Sequence, residues 1–172
     1  MRSSRGFTLI ELMIAVTLLA VVTALAAPAM GDFIIRQRVA SQAGELALAM
    51  ALARSEAIKS TTSIAVIPRT SSPAGWGDGW CVAPASAADC DDATVLRQFP
   101  ARSTVTVDSA SLASPFRITF LRDGTRGVAG GRPRFKVSSA RLPTTGQARC
   151  ILLTPQGRAE VTAVDRDNNC PQ

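Results

Sequence analysis

Residues 6–31 carry the decisive stretch: Gly6-Phe7-Thr8-Leu9-Ile10-Glu11, followed by Leu12 to Gly31 without one charged side chain. About 20 helical residues rising about 1.5 Å each cover about 30 Å, the thickness of a bilayer's hydrocarbon core. The preceding Met1-Arg2-Ser3-Ser4-Arg5-Gly6 is short, polar and positive, which predicts a cytoplasmic N-terminus and a periplasmic remainder. Two plain readings compete. One is a secretory signal peptide, with Ala24-Leu25-Ala26 supplying a small-x-small cleavage pattern. The other is a simple membrane anchor. Glu11 counts against both, because a carboxylate at the centre of an apolar helix costs about 2.5–3.5 kcal/mol to insert. A cut between Gly6 and Phe7 gives it a partner: the new α-amino group lies four residues before Glu11, on the same helix face. In an assembly the amine of a neighbouring subunit can take that place.

After Pro28 the pattern turns amphipathic. Val39, Ala43, Leu46, Met50, Ala53 and Ala57 recur at steps of three and four, while Arg36, Arg38, Glu45, Arg54, Glu56 and Lys59 fall off that stripe. The spacing predicts one helix from about Phe7 to about Ser60. Beyond it the signals are strands: Thr62–Pro68, Phe116–Phe120, the alternation around Phe135 and Val137, Cys150–Leu153 and Arg158–Val164. Arg122-Asp123-Gly124-Thr125 and Pro155-Gln156-Gly157 read as turns. Strands following one long helix predict an α+β protein with an antiparallel sheet. The expected organisation is a cleaved leader at 1–6, a transmembrane and assembly helix at 7–31, and a head at 32–172.

Composition narrows the function. The net charge is +6, and loss of Arg2 and Arg5 with the leader lowers it by two to +4. There is no histidine, which removes the usual general base and the commonest metal ligand. No glycine-rich phosphate loop and no nucleophile–base pair stands out, so neither an enzyme nor a cofactor or metal is expected. Cys81, Cys90, Cys150 and Cys170 form no C-x-x-C pair and allow three disulfide connectivities. Disulfides between sequence neighbours, 81 with 90 and 150 with 170, fit an oxidising compartment. Four reduced, buried thiols are the alternative.

Gly6-Phe7-Thr8-Leu9-Ile10-Glu11-Leu12 resembles the class III signal of type IV pilins and type II secretion pseudopilins. The resemblance implies cleavage after Gly6 by a prepilin peptidase, N-methylation of Phe7, and a role for Glu11 in docking subunits. Pro28 matches a proline common in the pilin helix. Ala53-Arg54-Ser55-Glu56-Ala57-Ile58-Lys59 and Trp76-Gly77-Asp78-Gly79-Trp80 resemble the GspH/FimT family, and Phe120-Leu121-Arg122-Asp123-Gly124 and Pro155-Gln156-Gly157-Arg158 fit the same pattern. The resemblance implies a pilin-like fold, an inner-membrane anchor with a periplasmic head, and other pilins or pseudopilins as partners. It leaves open a minor pilin of a type IV pilus, the leading expectation, and a type II secretion pseudopilin. Physically, the tryptophans read as core anchors.

DNA is the remaining candidate partner. Residues 117–166 hold ten basic side chains against three acidic ones, and clustered arginines attract phosphates. Arg132, Arg134, Lys136, Arg149 and Arg158 are the candidates. Some FimT-like proteins resemble DNA receptors carrying a Gly-Arg-x-Arg motif. Here Gly157-Arg158-Ala159-Glu160 puts an acid at the second arginine, where it repels phosphate. The alternative reading places these arginines on the solvent side of strands.

Overall fold

The computed structural model describes residues 7–109, 111–127 and 132–171, without the side chains of residues 25–29. The leader expected at 1–6, including Gly6, lies outside the described residues, as does the side chain of Pro28. One helix, α1, runs Leu9–Ser60. Eight strands follow: β1 Ile64–Pro68, β2 Gly79–Pro84, β3 Arg97–Pro100, β4 Thr106–Asp108, β5 Ile118–Phe120, β6 Arg134–Ser138, β7 Gln147–Leu153 and β8 Ala159–Asp165, with a 3-10 turn at Gly75–Asp78. The chain divides into two compact units, Met1–Ile34 and Ile35–Gln172.

In the first unit, Phe7 and the described apolar side chains from Leu9 to Val22 are exposed. Among the described residues no helix is long and apolar enough to cross a membrane. The segment expected to do so, 7–31, includes residues 25–29, whose side chains lie outside the described residues.

The second unit is the head. Its part of α1 buries the predicted stripe, with Val39, Ala43, Leu46, Met50, Ala53 and Ala57 all at 1% exposure or less. Small alanines let strands approach closely, and leucine and methionine fill the space between. Two four-stranded antiparallel sheets meet this stripe, in the orders β3-β2-β1-β5 and β4-β6-β7-β8. The sequence implied a single sheet. One core joins both, with Val66, Trp80 and Phe120 from the first sheet and Phe135, Ile151 and Leu153 from the second. Trp76 packs edge-to-face on Phe135 at 4.8 Å, and Trp80 stacks on Phe99 at 5.9 Å. Gly79 between them takes φ 103°, and a Cβ there would lie 2.6 Å from Phe99 O, so only glycine fits the step from the 3-10 turn into β2.

The outer face of each sheet carries a strap held by a disulfide. Cys81 on β2 bonds Cys90, closing the 84–93 loop over Ala65, Ile67 and Ala83. Arg117 fixes the same loop, donating from Nη1 to Ala87 O at 2.9 Å and from Nη2 to Ala88 O at 3.0 Å. Cys150 on β7 bonds Cys170, drawing the C-terminal segment across β6 and β7. The neighbour pairing expected from sequence is the one formed.

Two expectations need correction. The strand read over 116–120 begins only at Ile118, because Phe116 closes a turn with its N–H on Ala113 O at 2.8 Å and takes φ 57°. That left-handed conformation ends an extended run. Strands β3 and β4 were not foreseen: they are four and three residues long with one buried side chain each, Phe99 and Val107, too short to show a period.

The predicted turns form. Asp123 Oδ1 accepts from Thr125 Oγ1 at 2.7 Å and Thr125 N at 2.9 Å, and these two bonds, the hydroxyl foremost, hold its carboxyl below the ordinary aspartate value. Arg54 Nε donates to Gly124 O at 3.1 Å, tying the end of α1 to this turn. The β7–β8 turn closes with Gly157 N on Thr154 O at 2.9 Å, Gly157 holding φ 76°. A Cβ at Gly157 would lie 2.5 Å from Gly124 O and 3.1 Å from Phe120. Gly157→Ala is therefore expected to cost about 1–3 kcal/mol. Urea unfolding checks this, and a cost under about 0.5 kcal/mol would mean that the two turns do not abut.

Candidate assembly site at the N-terminal segment

The start of α1 is built by Thr8 and Glu11. Thr8 O accepts the first helical bond from Leu12 N at 3.2 Å. Its hydroxyl accepts from Glu11 N at 3.3 Å, while Thr8 N and Oγ1 each lie 3.4 Å from Glu11 Oε2 and donate to it. This is a capping box, in which threonine and glutamate three residues apart satisfy each other's free backbone donors. The contacts are long and exposed, so they hold the carboxylate in place only weakly. Glu11 is thus free to exchange Thr8 for a stronger, charged partner such as an ammonium group. Thr8 escaped notice at the sequence level, although T-x-x-E before an apolar run is the pattern that reveals it. Phe7 is 84% exposed and sits immediately before the cap.

The basic candidates do not form one patch. Register settles their faces: Lys136 stands opposite Cys150 on the outer face of the second sheet, whereas Arg149 stands opposite Val137 on the face toward the core. Arg134 shares the outer face with Lys136, and its Nη1 reaches Pro171 O at 3.5 Å in the C-terminal strap. Arg158 is exposed at the β7–β8 turn, lining a separate cleft with Arg54 and Ile58 of α1. Arg132 is exposed just before β6. Of the remaining basic residues, Arg117 holds the 84–93 loop, and Arg166 donates from Nη1 to Leu142 O at 2.6 Å. Trp76 and Trp80 are fully buried, as expected of core anchors. Among the described residues no group of three or more Cys, Asp or Glu side chains is arranged to hold a metal ion.

A long N-terminal helix, two antiparallel sheets closed on its second half, and an N-terminal methylation motif matched over residues 1–27 define a protein of the type IV pilin class. The chain belongs to the GspH family, described as type II transport protein GspH, whose match covers residues 42–157, more than half of its length. Two crystal forms of the Pseudomonas aeruginosa PAO1 type IV minor pilin FimU share the fold. In space group P21 the TM-score is 0.61 at 24% identity, covering 77% of this chain and 96% of the crystallised FimU chain. In space group P65 it is 0.57 at 25% identity, covering 72% and 95%. No curated protein matches the sequence.

Proposed function

We propose that this chain is a minor pilin of a type IV pilus, a structural subunit rather than a catalyst. The observation that carries the reading is the join of a methylation motif at residues 1–27 to a fold shared with nearly all of the crystallised FimU chain. On this reading a prepilin peptidase cuts between Gly6 and Phe7 and the new terminus is N-methylated. Residues 7–31 hold the subunit in the inner membrane, and the head stands in the periplasm, where its two disulfides form. The exposed apolar side chains from Leu9 to Val22 then meet lipid before assembly and the helices of other pilins after it. The Glu11 carboxylate leaves Thr8 for the amine of a neighbouring subunit. The type II secretion pseudopilin reading is kept as a second one because the family description itself favours it. The basic residues fall on different faces, and a DNA-binding role is not part of the proposal.

Expression with a prepilin peptidase and the partner pilins tests this. The mature chain is expected to begin at N-methylated Phe7. Glu11→Ala is expected to be processed normally but to fall about tenfold or more in sheared filaments, the loss of one charge-assisted bond in a dry interface. Wild-type incorporation of Glu11→Ala would sink the docking role. A mature chain beginning near Ala27 would sink the pilin reading itself.

A further inference from the structure

In the head, Arg36 of α1 and Arg149 of β7 line one cleft of about 280 Å³, together with Thr145, Gly146 and Gln147 of the β6–β7 connection. Its wall is fixed: Gly146 N donates to Pro143 O at 2.7 Å, and Arg166 donates from its backbone N to Gly146 O at 3.0 Å. Arg166 Nη1 also binds Leu142 O in the same loop, at 2.6 Å. Arg149 projects from the face of the sheet that carries Val137 and Ile151, where an apolar side chain would be the ordinary choice. No carboxylate lines the cleft. Among the described residues neither the Arg36 nor the Arg149 side chain makes a hydrogen bond or an ion pair. Asp165, which lies across from Gln147 in the β7–β8 register, accepts from Asn168 Nδ2 at 3.1 Å instead. The lining is thus rich in donors, doubly positive and free of acid.

Two guanidinium groups facing one small cleft repel each other unless an anion lies between them. Each offers a planar fork of donors matched to a pair of oxygens. A carboxylate satisfies one fork with its two oxygens, whereas a tetrahedral phosphate can engage two. The cleft falls just short of the about 300 Å³ at which drug-sized pockets begin, a volume suited to a headgroup rather than a larger ligand. We infer that this cleft binds a phosphate group, held between Arg36 and Arg149 with Thr145 and Gln147 as neutral donors. The inference does not rest on which machine the subunit joins. The phosphate comes either from free phosphate or from the phosphodiester of a phospholipid headgroup.

The test uses the full chain in an uncharged detergent at fixed ionic strength, with isothermal titration of three probes. Inorganic phosphate represents the free anion, glycerophosphoglycerol the deacylated headgroup of phosphatidylglycerol, and acetate a carboxylate. Saturable binding of at least one phosphate probe is expected, weakened about tenfold by Arg36→Gln and by Arg149→Gln, since each removes a charge-assisted pair. Preference for inorganic phosphate identifies the free anion as the source, and preference for glycerophosphoglycerol identifies the lipid. Arg36 lies on an exposed helix face, so Arg36→Gln decides the matter even if Arg149→Gln disturbs the sheet. The inference is overturned if neither phosphate probe binds at about 10 mM, if Arg36→Gln leaves binding unchanged, or if acetate binds as tightly as phosphate.

Discussion

Replacing Trp76 with alanine is expected to lower the unfolding free energy of the head by about 3–5 kcal/mol. Trp76 has no exposed surface and packs edge-to-face on Phe135 at 4.8 Å and 75°. It enters the core from the 3-10 turn at Gly75–Asp78, which precedes β2 of one sheet, and it meets β6 of the other. Its removal would open a cavity where the two sheets share one core, and a cavity lined from several elements collapses poorly. Trp76→Phe is a sharper control. Among the described residues the indole N–H meets no hydrogen-bond acceptor, so phenylalanine removes volume without orphaning a described partner, at a cost of about 1–2 kcal/mol. Urea unfolding followed by near-ultraviolet circular dichroism measures both. A loss under about 1 kcal/mol for Trp76→Ala would mean that the junction of the sheets is held elsewhere.

Loss of a single disulfide comes second in size. Their sequence separations of 9 and 20 predict a stabilisation of about 3 kcal/mol each from the unfolded chain's lost entropy. Replacing either pair by alanine is expected to lower the melting temperature by roughly 6–12 °C, at about 2–4 °C per kcal/mol for a chain of this size. Loss of both removes about 6 kcal/mol, comparable to the whole stability of a modest domain. The quadruple alanine variant should fail to accumulate folded at 37 °C. A melting temperature unmoved by the 150/170 replacement would show that the C-terminal strap holds without its covalent link.

The helix was legible because its apolar stripe repeats six times between Val39 and Ala57. The β7–β8 hairpin was legible because Pro155-Gln156-Gly157, a turn signal, stands between the strand-like runs 150–153 and 158–164. What escaped was decided by register and closure rather than by composition. That β1 takes β5 as its second neighbour, so that the strands split into two sheets, is a long-range choice with no local trace. The basic run between 117 and 166 was legible as a count. Its meaning was not, because β6 and β7 pair in a register that sends Lys136 and Arg149 to opposite faces. Arg117 looked like surface charge, yet its guanidinium is committed to two loop carbonyls. At the N-terminus, Glu11 stood out because a charge in an apolar run is costly. Thr8, which costs nothing there, did not.

The bond between Cys150 and Cys170 encloses the β7–β8 turn and the whole of β8. A protease that nicks the exposed Pro155–Gln156 tip therefore cuts the chain without releasing a fragment, since both pieces stay joined through the cystine. The head is thereby protected against loss of its edge strand, and such damage becomes visible only once a reductant separates the pieces.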